Sequence, residues 1–253
     1  MIGYNIDLAS ALLYVFWLFF AGLIWYLHRE SKREGYPLVG DNPNSRVSIV
    51  GYPAPPPSKT YFMANGEKFV VAGGRPDNRE IKAAPVSPYP GSPLEPTGNP
   101  MLDGVGPAAW AERSDHPDHT HEGLNKIVPL RVATDFYVAK EDPQPVGMAV
   151  KGADGKVAGT VKDVWVDRSE YLSRYFEIDL ANGAGSVLVP NNFCRVDGGK
   201  REIRVAAVNA EHFAMAPRTK NADSVTLLEE DKICGFYGGG TLYATAERKE
   251  PFL

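Results

Sequence analysis

The eight residues from Asp115 to Glu122 read DHPDHTHE and contain three of the five histidines of this 253-residue chain. Metal binding, catalysis and proton exchange could each use such a set. A histidine with an unperturbed pKa of about 6.5 exchanges protons near neutral pH. The segment therefore predicts a proton-collecting surface, with a solvated loop of no special function as the alternative. Its candidate members are Asp115, His116, Asp118, His119 and His121.

The same segment is a poor candidate for a built metal centre. It contains no thiolate, and its proline and short spacing do not suit a closed tetrahedral zinc site. Imidazole does bind Zn²⁺, Cd²⁺ and Ni²⁺, so we expect adventitious binding at His119 and His121 together with a carboxylate. We predict no intrinsic metal.

A second group of charged residues follows the strand-like sequence VWVD, which ends at Asp167. Glu170 and Arg174 are four residues apart, and a surface ion pair there would contribute only about 0–1 kcal/mol. The residues alone therefore predict an exposed ion pair between Glu170 and Arg174.

Several functional classes find no support in the sequence. HExxH, GxSxG and a glycine-rich phosphate loop are all missing, so we predict no catalytic residues and a non-catalytic protein. A formal net charge of −4 gives no attraction to nucleic acid. Cys194 and Cys234 lack metal-site or disulfide spacing and are expected to be reduced and buried.

Residues Leu8 to Leu27 are twenty consecutive uncharged residues, LASALLYVFWLFFAGLIWYL. A helix of roughly 20 residues spans the hydrocarbon of a bilayer, and the flanks do not resemble those of a cleaved signal peptide. Lys and Arg follow this stretch and none precedes it, which predicts an external N-terminus and a cytoplasmic remainder. The candidate residues of the membrane interface are Trp25, Tyr26, Arg29, Lys32 and Arg33.

Residues 35–130 are rich in proline, which stops helices and is excluded from central strands. We expect long extended loops that cover a partner protein. TYFMANGEKFVV, which carries Asn65 and Gly66 between two β-rich runs, predicts a type I′ hairpin.

Residues 131–253 show short strand-like runs and then a helix. Strands are predicted within Gly147 to Asp167 and over three further runs, which favours a small antiparallel barrel or sandwich. An amphipathic helix is expected to begin at Asp223–Ser224 and to end at Gly238–Gly240. The three further runs are Tyr175 to Leu180, Ser186 to Val189 and Ile203 to Val208.

Three blocks follow one another along the chain: REGYPL from Arg33, PTGNPMLDGVGPAAWAER from Pro96 and LLEEDKICGFYGGGTLYA from Leu227. In this order they resemble the H subunit of the purple-bacterial photosynthetic reaction centre. GADGKVAGTVKDVWVD, from Gly152, is also similar to the core of a PRC-barrel domain. The resemblance covers essentially the whole chain.

This resemblance implies one transmembrane helix and a mainly-β cytoplasmic PRC-barrel domain with long proline-rich loops and a C-terminal helix. The implied domains are residues 1–34 (periplasmic N-terminus and membrane helix), 35–130 (extended segment over partner subunits) and 131–253 (barrel and helix). The implied location is the bacterial inner, intracytoplasmic membrane.

The resemblance also implies partners and cofactors. The L and M subunits would be the partners, with an antenna ring, a cytochrome subunit and lipids such as cardiolipin nearby. Bacteriochlorophyll, bacteriopheophytin, quinones, carotenoid and non-haem iron would belong to the partner subunits, and this chain would bind none of them.

The function so implied is to cap L and M on the cytoplasmic side, to shield the quinones and iron, and to deliver protons to the secondary quinone. Asp167, Glu170, Arg174 and Glu177 would then hold protons as one cluster, with Glu170 as the member expected to matter most. A membrane-anchored PRC-barrel assembly or interaction protein is the alternative, and a metal-dependent enzyme using the histidines is a third hypothesis.

Overall fold

A computed structural model describes residues 7–36, 38–39, 48–63, 66–71, 79–89 and 91–248 of the chain. Its contacts divide the chain into two compact units. One comprises Met1–Asn78 with Pro88–Ser92, and the other comprises Arg79–Ser87 with Pro93–Leu253.

The first unit is dominated by helix α1, Leu8–Ser31, whose N-cap is Asp7. The Asp7 carboxylate accepts a hydrogen bond from the Ser10 amide at 2.8 Å, which satisfies one of the unpaired donors of the first turn. None of the residues of α1 is buried, and the helix is long and apolar enough to cross a membrane. It extends four residues beyond the predicted stretch.

Three two-stranded antiparallel ribbons follow along the chain, the first two in this unit and the third in the second unit. They are β1 (Leu38–Val39) with β2 (Ser48–Ile49), β3 (Lys59–Phe62) with β4 (Lys68–Val71), and β5 (Ala83–Pro85) with β6 (Leu94–Pro96). The predicted β3–β4 hairpin is confirmed, although Asn65 of its turn lies outside the described residues. In the β5–β6 ribbon the prolines occupy strand ends, where a missing N–H costs least.

The second unit contains a seven-stranded sheet. Its strands are β7 (Ile127–Pro129), β8 (Ala149–Lys151), β9 (Val157–Asp167), β10 (Leu172–Leu180), β11 (Ser186–Pro190), β12 (Cys194–Asp197) and β13 (Glu202–Val205). The order is β11-β10-β9-β8-β13-β12, and β7 also pairs with β9. Strands β8 and β13 run parallel, whereas the other pairings are antiparallel.

The inner face of this sheet packs against the C-terminal helix α2, Leu227–Tyr243, and forms one hydrophobic core. The largest side chains with under 2% exposure include Trp165, Ile178, Val189, Phe213, Ile233, Phe236 and Tyr237. The expectation of two buried thiols is wrong, because Cys234 is exposed and Cys194 is only partly buried.

The predicted limits of α2 are also wrong. Its N-cap is Thr226, two residues beyond the expected start at Asp223–Ser224. The Glu229 amide donates to the Thr226 hydroxyl at 3.1 Å, and the Thr226 amide donates to Glu229 Oε2 at 2.9 Å. This reciprocal capping box fixes the start of the helix.

The helix does not stop at Gly238–Gly240 but runs through these glycines to Tyr243. A Cβ on Gly238 would lie 2.7 Å from the Pro107 carbonyl oxygen, and one on Gly240 would lie 2.4 Å from Val208 Cγ1. The glycines therefore serve close backbone packing rather than termination. That requirement offsets their low helix propensity.

Candidate functional site

The turn between β9 and β10 is organised by Asp167, whose side chain is 0% exposed. Its Oδ1 accepts hydrogen bonds from the backbone amides of Ser169, at 2.9 Å, and Glu170, at 3.0 Å. Tyr171, which completes the turn, has a φ of +56°, a conformation that a bulky residue adopts at a cost. Asp167 thus holds the backbone that carries Glu170.

Arg174 bridges the two carboxylates of this turn. Its Nη2 donates to Asp167 Oδ2 at 3.1 Å and to Glu170 Oε2 at 2.8 Å. Burial alone would raise the pKa of Asp167, but the two backbone amides, Arg174 and Lys126 together lower it below its ordinary value. Asp167 is therefore a fixed anion at neutral pH.

Lys126 joins this turn to the DHPDHTHE segment. Its ammonium nitrogen lies 3.6 Å from a carboxylate oxygen of each of Asp118, Asp167 and Glu170. Burial opposes the charged form, but the three carboxylates raise the pKa of Lys126. We call Asp118, Lys126, Asp167, Glu170 and Arg174 the Lys126 network.

Strand register explains the position of Lys126. Ile127, the first residue of β7, pairs with Asp167, the last residue of β9. The Lys126 amide donates to the Asp118 carbonyl at 2.8 Å, and the Thr120 amide donates to the Leu124 carbonyl at 2.8 Å. DHPDHTHE thus enters a tight hairpin that returns the chain to β7 beside Asp118.

The three histidines have exposed side chains along this segment. The His116 carbonyl accepts a hydrogen bond from the Leu227 amide at 3.2 Å. The backbone of His119 forms an isolated antiparallel β-bridge with that of Asn125. Across the part of the chain that the structure describes, no three His, Cys, Asp or Glu side chains are grouped as a metal site. Only Asp118 of this segment reaches the Lys126 network.

Asp115 does not join the Lys126 network but contacts residues at and before the start of α2. Its carboxylate pairs with Lys220 and accepts from the Thr226 hydroxyl at 3.1 Å. The hydrogen bonds from Lys220 and Thr226 lower the pKa of Asp115. This residue fastens the segment to the start of α2.

Glu177 belongs to a different cluster, although the sequence groups it with Asp167. On β10 it pairs in register with Asp163 of β9, and its side chain is 6% exposed. Lys162 and Arg131 each donate to it at 2.7 Å, and Trp165 Nε1 donates at 3.1 Å. Burial raises the proton affinity, but these donors lower the pKa of Glu177 to about 2.

Several residues of these clusters escaped sequence reasoning. No sequence pattern assigned Lys126 a contact with these carboxylates, and Arg131 and Lys162 lie on separate segments. Glu230, from the first turns of α2, accepts a hydrogen bond from the Tyr175 hydroxyl at 3.0 Å. The pairing of β7, β9 and β10 brings Lys126, Arg131 and Lys162 to their partners, and the packing of α2 brings Glu230 to Tyr175.

At the end of α1, the five predicted interface residues have different surroundings. Trp25 and Tyr26 are exposed, and the Arg29 guanidinium lies 5.5 Å from the Trp25 ring centroid. Lys32 is 5% exposed and donates to the carbonyls of Val50, at 3.2 Å, and Pro53, at 2.9 Å. Lys32 therefore fastens the following loop to the helix end.

Arg33 has a similar attachment. It pairs with Glu30 at 2.8 Å and donates to the Pro57 carbonyl.

The chain matches two protein-family models, one in its N-terminal half and one in its C-terminal half. Residues 1–132 match the model described as photosynthetic reaction centre, H-chain N-terminal region. Residues 139–212 match the PRC-barrel domain, which covers strands β8 to β13. The first match spans more than half of the chain. The protein therefore belongs to the H-chain family of the photosynthetic reaction centre and is a membrane-anchored subunit of that complex.

Proposed function

We propose that this chain caps the L and M subunits on the cytoplasmic side and delivers protons toward the secondary quinone. The observation that carries the proposal is the Lys126 network, in which one ammonium group lies 3.6 Å from Asp118, Asp167 and Glu170. It joins the DHPDHTHE hairpin to the β9–β10 turn.

The network has the charge arrangement that proton transfer needs. Its centre, Asp167, is buried and ionised at neutral pH, whereas the side chains of Asp118 and Glu170 are 46% and 48% exposed. Lys126 and Arg174 hold these two outer carboxylates beside the buried anion. A proton taken up from the exposed histidines would reach Asp118 first and Glu170 last.

Exposed apolar side chains support the capping role. In the first unit Tyr52 is 84% exposed, Phe62 75% and Tyr89 58%. Exposed aromatic side chains of this kind suit a surface that a partner covers. The chain would thereby shield the quinones and iron of its partners as a non-catalytic subunit.

Orientation and surroundings follow from the same proposal. The excess of Lys and Arg after α1 favours a periplasmic N-terminus and a cytoplasmic remainder. The inner, intracytoplasmic membrane would supply lipids such as cardiolipin, and an antenna ring and a cytochrome subunit would be neighbours. Bacteriochlorophyll, bacteriopheophytin, carotenoid, quinones and iron would be held by the partner subunits.

The test is Glu170→Gln in the assembled complex. Transfer of the second electron to the secondary quinone is coupled to proton uptake, so it should slow by about tenfold or more, while transfer of the first electron is unchanged. Glu211→Gln is the matched control, because the Glu211 side chain is 79% exposed and lies outside the network. Unchanged second-electron kinetics over a wide pH range would refute proton delivery through Glu170.

Purification distinguishes this proposal from the alternative, a membrane-anchored assembly or interaction protein. The proposal requires bacteriochlorophyll and quinone to co-purify with this chain from native membranes. Their absence from a stable, intact preparation would favour the assembly role.

A further inference from the structure

Helix α2 places one more carboxyl group beside the Lys126 network. Glu230 is half-buried, and its Oε2 accepts a hydrogen bond at 3.0 Å from the hydroxyl of Tyr175. Tyr175 is 3% exposed and directly follows Arg174 on β10. Glu230 is therefore linked, through adjacent residues of one strand, to the arginine that holds Asp167 and Glu170.

Charged and titratable groups face Glu230 from four segments. Arg113 and Arg174 favour its ionised form, whereas Asp118 opposes it. Cys234, one turn further along α2, lies beside the same Tyr175 hydroxyl and also interacts with Glu230. Burial is the largest influence, and it raises the pKa of Glu230 above its ordinary value.

The pKa of Glu230 is thus raised, whereas that of Asp167 is lowered, although Arg174 interacts with both groups. Asp167 accepts two backbone amides and Arg174, with Lys126 close by, so its anion is well compensated. Among the described residues, Glu230 accepts one hydroxyl and no amide. A carboxylate with a single neutral donor is poorly compensated when water is removed, so the protonated form is favoured.

We propose that Glu230 and Tyr175 form a proton-holding site attached to the Lys126 network. Glu230 stores a proton as a neutral carboxylic acid and passes it to a network carboxylate, Asp118 or Glu170, when the charge nearby changes. The O–H bond of Glu230 breaks, one forms on the acceptor, and no electron moves. This inference rests on the proposed function and adds a reservoir to its path.

The test is infrared difference spectroscopy of the intact complex during a pH titration. A protonated carboxyl gives a C=O stretching band that shifts in deuterium oxide. The band should persist above the pH at which an ordinary glutamic acid, with a pKa of 4.5, has ionised. Glu230→Gln should remove it, and Glu211→Gln should leave it in place.

Tyr175→Phe separates proton storage from a packing role. The Tyr175 hydrogen bond lowers the pKa of Glu230, so its loss should extend the band to higher pH. A band that survives Glu230→Gln, or that titrates identically in the Tyr175→Phe complex, would overturn the inference.

The infrared result is independent of quinone kinetics. If Glu170→Gln leaves second-electron transfer unchanged while the Glu230 band behaves as expected, the delivery path fails and the storage site stands. If Glu170→Gln slows the transfer but the complex lacks the band, delivery stands and storage at Glu230 fails.

Discussion

The ammonium group of Lys126 lies 3.6 Å from the fully buried carboxylate of Asp167. This contact connects the residue just before β7 to the last residue of β9, 41 positions along the chain. A buried anion needs cations and hydrogen-bond donors, and Asp167 obtains them from the residue before β7, from its own turn and from β10. The polar network therefore depends on the strand pairing that assembles it.

Lys126→Met should disconnect Asp118 from the β9–β10 turn. Asp167 would lose one cation but keep Arg174 and two amides, so we expect a loss of about 1–2 kcal/mol in the free energy of unfolding. Proton uptake linked to the second electron should slow as well. Lys126→Arg keeps the charge and is the control; equal stability and kinetics in Lys126→Met and wild type would show that the contact is unimportant.

Glu177→Gln should lower the free energy of unfolding by an amount that depends on pH. Because the folded-state pKa is lowered from 4.5 to about 2, ionised Glu177 stabilises the fold above pH 4.5, and this contribution disappears as pH falls through about 2. We expect a loss of roughly 2–3 kcal/mol at pH 7, since Lys162 and Arg131 remain without their carboxylate.

Thermal unfolding at several pH values tests this expectation, and the difference between Glu177→Gln and wild type should shrink below pH 4.5. Asp197→Asn is the control, because its partner Lys200 lies 3.7 Å away and both side chains are exposed. That exposed pair should contribute less than about 1 kcal/mol. A constant difference at all pH values would contradict the ionic explanation.

Gly240→Ala should destabilise the protein even though alanine is the better helix former. Its Cβ would lie 2.4 Å from Val208 Cγ1 and 2.8 Å from the Ala207 carbonyl oxygen. The gain of about 1 kcal/mol in helix propensity is opposed by overpacking of about 1–3 kcal/mol. The midpoint of thermal unfolding should therefore fall.

Thr241→Ala, at the next position of the same helix, is exposed and should change stability by about 0.5 kcal/mol or less. An increase in stability for Gly240→Ala would mean that α2 can move away from Ala207 and Val208, which follow β13.

His119→Ala combined with His121→Ala should reduce inhibition of proton uptake by added Zn²⁺. Both imidazoles are exposed on the hairpin that carries Asp118, so a bound cation would repel protons approaching that carboxylate. The measurement is the Zn²⁺ concentration for half-inhibition, which should rise at least tenfold. His116→Ala alone is the comparison, and full retention of inhibition in the double variant would place proton uptake elsewhere.

The sequence by itself determined the local features. Twenty uncharged residues predicted the membrane helix, Asn65-Gly66 predicted the β3–β4 hairpin, and β-branched alternation located β9 to β11. These signals reside in neighbouring residues, because helix periodicity, turn preference and hydrophobic length act over a few positions. The sequence also located both charged segments, DHPDHTHE and Asp167 to Glu177.

Only the tertiary structure decided which of these charges meet. Asp118 joins Asp167 through Lys126, whereas Asp115 turns to Lys220, and Glu177 turns to Arg131 and Lys162. The tertiary structure also decided that α2 continues through Gly238–Gly240, where the sequence predicts the end of the helix. Charge contacts and backbone clearance are set by strand register and helix packing between distant segments. Local sequence patterns do not encode them, because each depends on atoms contributed by another part of the chain.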